Sequence, residues 1–319
     1  MANDVPRICV VGSSNIDLTF RTPRLPRPGE TIAGESFQMG FGGKGANQAV
    51  MAARLGARVS IVTRIGRDVF GERLLANYRQ QGVGTEHVFF DQWRPTGVAS
   101  IVVDEAAQNC ILVVPGANFA LSAEDVQWAR EAVETAKVCL GQLEVPQDTT
   151  LEAFRLAKAA GARTILNPAP AAPLAEELLR LTDICVPNEI EVEALTGLPA
   201  ATLTQAEVAA RALARQGPAV VIVTLGDRGA LLVEGDTALH VPAVAVEAVD
   251  PTAAGDAFIA ALAVGLLGGL PLDAAVRQAN AVAALTVTRP GAQAAFPSGA
   301  EIRRFLHDSG FAPTQKQPE

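Results

Sequence analysis

Residues 250–262 read DPTAAGDAFIAAL, a run of small residues and one carboxylate that leads directly into an apolar helical pattern. Small residues at a helix start leave the first amide groups accessible, and such amides suit a transferring phosphoryl group. A carboxylate among these amides would repel a bound anion, so an acid at position 256 is expected only if it has a function of its own. Proton abstraction from an attacking hydroxyl group supplies one. From this segment alone, an acid that caps the helix is an equally good interpretation.

On both sides of this segment, short apolar runs alternate with longer helical patterns. The apolar runs predict buried strands at 8–11, 59–62, 138–140, 164–166, 184–186 and 220–223. Three helical patterns end at a glycine suited to a left-handed conformation, and they predict helices at 46–55, 70–81 and 151–160. Residues 204–207 (TQAE) are typical of a capping box and predict a helix that ends near Gly217. Repeated strand–helix–strand units predict an α/β fold in which helices sandwich a parallel-centred sheet.

Two segments break this alternation, at about 15–40 and 95–114. The first is rich in Pro and Gly, and the second contains two strand-like runs around a polar turn. These segments either pair into a small β-sheet that covers the active site as a lid or form ordinary surface hairpins. We expect residues 1–312 to form a single domain that carries both segments, followed by a flexible tail at 313–319.

Composition excludes several classes of protein. The 319 residues are 49% hydrophobic and 19% charged, which provides a large core and excludes wholesale disorder. Acidic residues outnumber basic ones by 34 to 26, and no run of Lys and Arg indicates a nucleic-acid partner. No apolar run approaches the roughly 18 residues that span a bilayer, and the N-terminal run is too short for a signal peptide. We therefore expect a cytoplasmic protein without a membrane partner, whose cysteines are buried free thiols: Cys9, Cys110, Cys139 and Cys185.

A second candidate site is the glycine-rich run 40–48, GFGGKGANQ, ahead of an amphipathic helix. Four glycines in six positions let a ligand approach the backbone closely. The run contains the dinucleotide pattern Gly-x-Gly-x-x-Gly, but it follows no apolar strand, which argues against an NAD-dependent oxidoreductase. It is not a Walker A loop either, because Lys44 is followed by Gly45 and not by Ser or Thr. A tight glycine turn with an exposed lysine is the simpler alternative.

Polar residues after other predicted strands are further candidates, because ligands bind at the carboxyl ends of the strands in an open parallel sheet. The segment 188–191 (NEIE) suits magnesium and phosphates through a water shell, but it also suits a helix cap. The turn 224–229 (TLGDRG) suits a nucleotide or a plain hairpin turn. Asp17 and Glu144 either bind sugar hydroxyls or remain solvated. The three histidines show no ligand or triad spacing: His87, His240 and His307.

Taken together, these segments resemble the ribokinase-like (PfkB) carbohydrate kinase family over nearly the whole chain. The run 42–48 (GGKGANQ) is similar to the N-terminal motif of that family, and 250–256 (DPTAAGD) is similar to its C-terminal motif. The supporting segments are 12–17 (GSSNID), 28–31 (PGET), 167–170 (NPAP), 188–191 (NEIE) and 291–293 (GAQ).

The resemblance implies a ribokinase-like fold with a small β-sheet lid that often also joins two subunits into a homodimer. It implies ATP-dependent phosphorylation of a sugar hydroxyl, with Mg²⁺ and with K⁺ as a monovalent activator. Within the family the nearest activity is phosphorylation of D-ribose at its 5-hydroxyl group. Kinases for fructose, deoxyribose, adenosine or pseudouridine are the alternatives.

The resemblance also implies roles for individual residues. Asp256 is the general base, and the amides of Ala253, Ala254 and Gly255 form the anion hole. The residues that hold ribose are Asn15, Asp17, Gly43, Lys44, Asn47 and Glu144. The residues that contact ATP are Asn188, Thr224, Gly226, Gly255 and Asn280, and Glu191 helps to place Mg²⁺. The residues that bind K⁺ are Asp250, Thr252, Thr286, Arg289 and Gly291.

Three positions depart from the family pattern. Pro251 stands where Thr is usual, but its carbonyl group is unaffected. Asn280 replaces a His that related proteins often place beside adenine, so the resemblance does not fix the nucleotide preference. Ala295 lacks the hydroxyl that a Ser would offer to the monovalent cation, which leaves the strength of potassium activation open. A non-catalytic sugar sensor is a competing function, and it requires Asp256 to be idle.

Overall fold

A computed structural model describes residues 7–106 and 108–308 of the chain, which form two β-sheets and the helices around them. The strands are β1 (Arg7–Val11), β2 (Asn15–Thr22), β3 (Ser36–Gly42), β4 (Arg58–Gly66), β5 (Val83–Asp91), β6 (Gly97–Asp104), β7 (Asn109–Val114), β8 (Val138–Gly141), β9 (Arg163–Leu166), β10 (Ile184–Cys185), β11 (Val220–Thr224), β12 (Ala230–Glu234) and β13 (Thr237–Val241).

The helices alternate with these strands along most of the chain. They are α1 (Lys44–Arg54), α2 (Val69–Gln81), α3 (Ala123–Trp128), α4 (Arg130–Glu134), α5 (Gln147–Ala159), α6 (Glu176–Arg180), α7 (Glu189–Thr196), α8 (Leu203–Ala214), α9 (Ala254–Leu267), α10 (Leu272–Thr286) and α11 (Gly299–Asp308). Short 3₁₀ helices lie at Gly116–Ala120 and Gly226–Arg228.

The larger sheet contains nine strands in the order β13–β12–β11–β10–β9–β8–β1–β4–β5. The seven strands from β11 to β5 in this order pair in parallel. Strands β12 and β13 extend one edge as an antiparallel hairpin. The parallel part contains every strand predicted from an apolar run, which confirms the α/β fold with a parallel-centred sheet. The loops that follow these strands therefore meet at one edge of the sheet.

Helices cover both faces of this sheet, because alternate side chains of the parallel strands enter two separate hydrophobic cores. On β1, Ile8 and Val10 belong to the first core, whereas Cys9 and Val11 belong to the second. The first core is completed by α1, α2, α9, α10 and α11, and the second by α3 to α8. The first core therefore packs the helix after the glycine-rich run against the helix after the 250–256 motif.

The two segments that break the alternation pair with each other. They form a four-stranded sheet of order β3–β2–β6–β7, in which β2 pairs antiparallel with β3 and parallel with β6. The interpretation as separate surface hairpins is therefore wrong, because the β2–β6 ladder joins them. Strand β2 begins at Asn15, soon after β1 ends at Val11, so the small sheet extends directly from the carboxyl edge of the large one.

Helix boundaries differ from the sequence prediction in detail. The capping box predicted at 204–207 is wrong, since Thr202 is the N-cap of α8 and exchanges hydrogen bonds with Gln205. A hydroxyl caps a helix where the backbone is extended, and Thr202 has that conformation. Helix α8 ends at Ala214, short of Gly217, and α5 begins at Gln147, ahead of the predicted 151.

Cysteine burial follows the prediction at three positions and departs from it at one. Cys9, Cys139 and Cys185 are buried free thiols on β1, β8 and β10. Cys110 is exposed, because every side chain of the edge strand β7 is exposed. In the described part of the chain, no helix is both long and apolar enough to cross a membrane. The predicted domain boundary at 312 and the tail at 313–319 lie outside the described residues.

Two leucines on α8 test how much the second core contributes to stability. Leu213 is fully buried, whereas Leu203 on the same helix is 38% exposed. We expect Leu213→Ala to lower the free energy of unfolding by about 2–5 kcal/mol, because it leaves a cavity in a packed core. Leu203→Ala, the matched control, should cost less than about 1 kcal/mol. Urea unfolding followed by circular dichroism measures both, and equal losses would contradict this description of the core.

Candidate active site

Helix α9 begins with an irregular turn that buries a carboxylate. Its N-cap, Ala253, has a left-handed backbone (φ 59°, ψ 11°), which no other non-glycine residue of the described chain adopts. No side chain caps this helix, so the interpretation of Asp256 as a capping acid is wrong. Asp256 lies in the first turn and is only 6% exposed. A buried carboxylate without a capping role is a candidate for chemistry.

Two side-chain amides of α1 hold this carboxylate. Nδ2 of Asn47 donates to one oxygen of Asp256 at 2.9 Å, and Nε2 of Gln48 donates to the other at 3.1 Å. Both amide residues are buried. These bonds join residues 209 and 208 positions apart, so the fold brings the two sequence motifs together in one site.

The glycine-rich run makes room for strand β2. Gly43 is the N-cap of α1 with a φ of 88°, and a Cβ on it would lie 2.8 Å from the backbone nitrogen of Asn15. A Cβ on Gly42 would lie 2.2 Å from the carboxylate of Asp17. Any larger residue would push β2 away, so the glycines place Asn15 and Asp17 beside the first turn of α1. Lys44 is half-buried, so the simple turn with an exposed lysine is wrong.

A second carboxylate, Glu144, binds the start of α1. Its Oε2 accepts a hydrogen bond from the hydroxyl of Ser13 at 2.5 Å and one from the backbone amide of Lys44 at 3.0 Å. Ser13 and Glu144 follow the neighbouring strands β1 and β8. The site therefore lies at the carboxyl edge of the parallel sheet, where strand order predicts it.

The ammonium group of Lys44 interacts electrostatically with the carboxylates of the site. Burial lowers the pKa of this ammonium group, but the carboxylates of Asp256, Glu144 and Glu191 outweigh that effect and raise the pKa. Lys44 therefore keeps its charge. Burial raises the pKa of Asp256, and Lys44 is the strongest of the groups that oppose this shift.

The other acids of the site repel one another. Burial raises the pKa of Asp17 to about 7, and the carboxylates of Glu144 and Asp256 add to this shift. Burial also raises the pKa of Glu191. Several acids that resist ionisation in one place are typical of functional sites.

Two adjoining cavities lie at this edge of the sheet. The first, of about 200 Å³, has Lys44, Glu191 and Asp256 in its wall. The second, of about 310 Å³, shares part of its wall with the first. The residues predicted to contact ATP line these cavities: Asn188, Thr224 and Gly255 line both, and Gly226 and Asn280 line the second.

Asn188 and Glu191 also form the capping box of α7. The side-chain oxygen of Asn188 accepts from the backbone amide of Glu191, whose carboxylate accepts two hydrogen bonds from Asn188 at 2.8 and 3.0 Å. The helix-cap interpretation is therefore correct, and both residues line the first cavity as well. Across the described residues, no group of three or more His, Cys, Asp and Glu is arranged to hold a metal ion.

Two further polar residues, Asn280 and Asp250, hold the loops around the start of α9 through hydrogen bonds. The amide of Asn280 donates to the carbonyls of Val241 and Pro242 at 3.0 and 3.2 Å, which fixes the loop after β13. The carboxylate of Asp250 accepts from the backbone amides of Thr252 at 2.9 Å and Gly291 at 2.8 Å. Burial opposes the shift, but the side-chain hydrogen bond of Thr252 and the backbone amides of Gly291 and Thr252 lower the pKa of Asp250.

The remaining predicted residues lie in the same loops. Arg289 follows α10, and its backbone amide donates to the carbonyl of Thr286 at 3.4 Å. The backbone amide of Ala254 donates to the carbonyl of Pro251 at 3.2 Å, which closes the turn that holds Ala253. Hydrogen bonds between segments 249–252 and 287–291 thus bring the predicted cation residues close to the predicted base and anion-hole residues at the start of α9.

The structure adds residues to which the sequence analysis assigned no role. Gln48 contacts Asp256 directly, and Ser13 contacts Glu144. Four more side-chain amides lie one or two hydrogen bonds further from Asp256: Asn77, Gln142, Asn167 and Gln293. Gln48 and Gln293 belong to segments 42–48 and 291–293, so the family resemblance contained a signal for them. Asn77 and Gln142 carry no such signal.

Comparison with known proteins places this site in a family. Residues 5–299 match the model of the pfkB family carbohydrate kinases. A curated mouse protein named ribokinase is 42% identical over 91% of this chain and 91% of its own length. A Salmonella typhi deoxyribokinase is 39% identical over 94% of this chain and 98% of its own. The structure of an Arabidopsis thaliana ribokinase with ribose and ATP is similar with a TM-score of 0.88, at 34% identity, over 95% of this chain and 99% of that one.

The crowding of acids predicts a pH-dependent effect of Asp17 on stability. The pKa of Asp17 rises from 3.8 to about 7 on folding, so between these values the native state holds a proton that the unfolded chain releases. Stability therefore falls as pH rises through this window. We expect Asp17→Asn to stabilise the fold by about 1–4 kcal/mol near pH 8 and to change it little near pH 4.

Urea unfolding at the two pH values measures this difference. Asp236→Asn, in the exposed turn between β12 and β13, is the matched control and should have the same effect at both. An Asp17→Asn effect that is equal at both pH values would contradict the burial of this acid beside Glu144 and Asp256.

Proposed function

The chain belongs to the pfkB family of carbohydrate kinases, and we propose that it is an enzyme that transfers the γ-phosphoryl group of ATP to the 5-hydroxyl group of D-ribose. The products are ribose 5-phosphate and ADP. The ribokinase names of the relatives support this substrate pair, as does the ribose and ATP complex of the Arabidopsis protein. The observation that carries the proposal is the carboxylate of Asp256, buried between the amides of α1 and a cavity at the start of α9.

Asp256 is the general base in this proposal. Its carboxylate takes the proton of the 5-hydroxyl group as the sugar oxygen forms a bond to the γ-phosphorus and the bond from that phosphorus to ADP breaks. The transition state is loose, so the protein acts mainly by placing the reactants and stabilising spread charge. The amides of Ala253, Ala254 and Gly255, at the positive end of α9, stabilise the phosphoryl oxygens.

The sugar and the nucleotide occupy different walls of the site. The residues proposed to hold ribose are Asn15, Asp17, Gly43, Lys44, Asn47 and Glu144. The hydrogen bond from Lys44 to Glu144, the hydrogen bond from Asn47 to Asp256 and the repulsion of Asp17 by both acids support a common pocket. ATP occupies the paired cavities, in contact with Asn188, Thr224, Gly226, Gly255 and Asn280. The charged Lys44 lies in the wall of the first cavity, where it offsets the charge of Asp256 and of the phosphates.

Two metal ions belong to the proposal. Glu191 lines the first cavity and suits Mg²⁺, which prefers carboxylate, water and phosphate oxygens and neutralises phosphate charge when bound. K⁺ suits the ionised Asp250 with carbonyl groups of Thr252, Thr286, Arg289 and Gly291, where it would add positive charge near the start of α9. The bonds from Asp250 to the loops of Thr252 and Gly291 support this set, because they bring the loops together.

The small sheet is proposed to close over the sugar and to join two subunits. Closure would exclude water and limit wasteful ATP hydrolysis. The outer strand β7 is exposed along its whole length, including Ile111 and Leu112, and Phe37 of β3 is 57% exposed. Apolar side chains in this arrangement support a homodimer contact. A single domain and a cytoplasmic location, with free thiols, complete the proposal.

A kinase for 2-deoxyribose is the second candidate, because a deoxyribokinase is among the curated relatives. Fructose, adenosine and pseudouridine are further acceptors within the family. A coupled assay of ADP release with each acceptor separates them, and we expect D-ribose to have the highest kcat/KM. The same assay excludes a non-catalytic sensor if ADP forms, and an NADH fluorescence titration without binding excludes the oxidoreductase.

Replacement of the proposed base tests the mechanism. We expect Asp256→Asn to fold, because loss of a buried charge offsets the disturbed hydrogen bonds. Its kcat should fall at least roughly 10²-fold, since a positioned base contributes about 10²–10⁴-fold. Calorimetry should show that ribose and ATP still bind. Asp236→Asn should keep wild-type turnover, and near-normal turnover of Asp256→Asn would refute the role of base.

The loops proposed to bind K⁺, which contain Asp250 and Gly291, give a separate prediction. We expect wild-type activity to be higher in KCl than in tetramethylammonium chloride at equal ionic strength. Asp250→Asn removes the formal charge of the proposed set, so the ratio of rates in the two salts should fall towards one. Steady-state kinetics in both salts, with circular dichroism as a folding check, measures this ratio. A ratio that Asp250→Asn leaves unchanged would contradict the placement of K⁺.

A further inference from the structure

Two buried chains of side-chain amides end on the carboxylate of Asp256. In the first, Nδ2 of Asn77 donates to Gln293 at 2.9 Å, Nε2 of Gln293 donates to Asn47 at 3.2 Å, and Asn47 donates to Asp256. All three amide residues are 4–6% exposed. In this chain every N–H points towards the acid and every C=O points away from it.

The second chain of amides also donates towards Asp256, and it ends on the other carboxylate oxygen. Nε2 of Gln142 donates to the side-chain oxygen of Gln48 at 2.6 Å, and Nε2 of Gln48 donates to Asp256. Gln48 and Gln142 are fully buried. Among the described residues, the side-chain oxygen of Gln142 is the one buried side-chain polar atom without a hydrogen-bond partner. Gly12 leaves space for it, because a Cβ there would lie 2.0 Å from that oxygen.

The direction of the amides determines whether Asp256 faces N–H donors, which favour its ionised form, or carbonyl oxygens, which disfavour it. A side-chain amide can turn over and present either its N–H₂ or its C=O to a neighbour. If Asn47 turned over, its carbonyl oxygen would face the carboxylate and repel it. A donor to the oxygen of Asn47 or Gln48 prevents this, because the turned amide would place N–H₂ against N–H₂. Gln293 and Gln142 are those donors.

We propose that Gln293 and Gln142 are positioning residues that lock the amides of Asn47 and Gln48 as donors to Asp256, and so keep the base ionised and aimed at the sugar hydroxyl. The inference rests on the proposed kinase function for its kinetic consequences. Neither residue contacts Asp256 directly, so each acts through the amide next to it. Both residues are buried and donate directly to the side-chain oxygens of those amides, which supports this role.

The charged groups around Asp256 come from several elements and are common to all the variants below. They are Lys44 of α1, Glu144 after β8, Asp17 of β2 and Glu191 of α7. Methionine at residue 293 or 142 leaves this set of charges unchanged. Any shift in the titration of Asp256 in such a variant therefore reports the amide chains.

The test compares Gln293→Met with Gln278→Met. Methionine fills a similar volume but donates no hydrogen bond, so it removes the donor while keeping the packing. Gln278 donates to the carbonyl of Ala261 on α9 at 3.3 Å and belongs to neither amide chain, which makes it the matched control. We expect Gln293→Met to lower kcat between about 10- and 100-fold, because the base is misaligned. Its acid limb in the pH profile of kcat should move upward by about half a unit or more.

A second measurement does not depend on activity. Carboxyl ¹³C NMR titration, with the Asp256 signal assigned from Asp256→Asn, reports the pKa of this acid without substrate. The pKa should rise in Gln293→Met and in Gln142→Met, because each loses support for the ionised form. It should stay at the wild-type value in Gln278→Met. Melting temperatures check that each variant is folded.

The outcomes separate the two levels of the proposal. If the wild type shows no ribose-dependent ADP formation while the NMR titration still shifts, the substrate assignment is wrong and the positioning role holds. If both Gln293→Met and Gln142→Met keep the wild-type titration and pH profile, the positioning role is overturned. Gln293→Glu gives a further check, since its ionised side chain cannot donate either. Wild-type turnover in that variant would also overturn the role.

Discussion

A carboxylate taken out of water must receive hydrogen bonds and opposite charge in place of its hydration, or it gives up its own charge. Asp256, in the first turn of α9, receives hydrogen bonds from Asn47 and Gln48 of α1 and the opposite charge of Lys44 on the same helix, which together offset part of the effect of burial on its pKa. The first hydrophobic core packs these two helices on the same face of the sheet. The hydrogen bonds to Asp256 therefore depend on the packing of α1 and α9 in the first core.

Much of the architecture was predictable because its signals are local. Buried strands show as β-branched runs, and Gly56, Gly82 and Gly161 all have the positive φ that the predicted helix ends require. The glycine run at 42–45 and the small residues before Asp256 were also visible, since close backbone approach leaves few choices of residue. Strand order then placed the carboxyl-edge loops together. Family resemblance supplied roles that these patterns alone left open.

The rest could not be predicted, because it depends on partners far apart in the chain. Nothing near β2 specifies that it pairs with β6, so a lid and two hairpins had equal support. Thr202 and Thr204 both precede a residue with a suitable side chain at the same spacing, and only the backbone conformation selects Thr202. The bonds from Asn77 to Gln293 and from Gln142 to Gln48 join residues 216 and 94 positions apart. A single amide in a sequence does not reveal its direction or its neighbour.

The placement of α9 and α10 has a consequence for the newly made chain as it leaves the ribosome. Strands β1 and β4 and helix α1 are all translated within the first 66 residues, yet the helices that complete their apolar face run from Ala254 to Thr286. Until those helices are made, α1 and α2 cover only part of that face, and the first core remains incomplete. A core that needs contacts between distant parts of the chain forms slowly, and its partly folded intermediate exposes apolar surface. The first core can therefore close only when the last quarter of the chain has been translated.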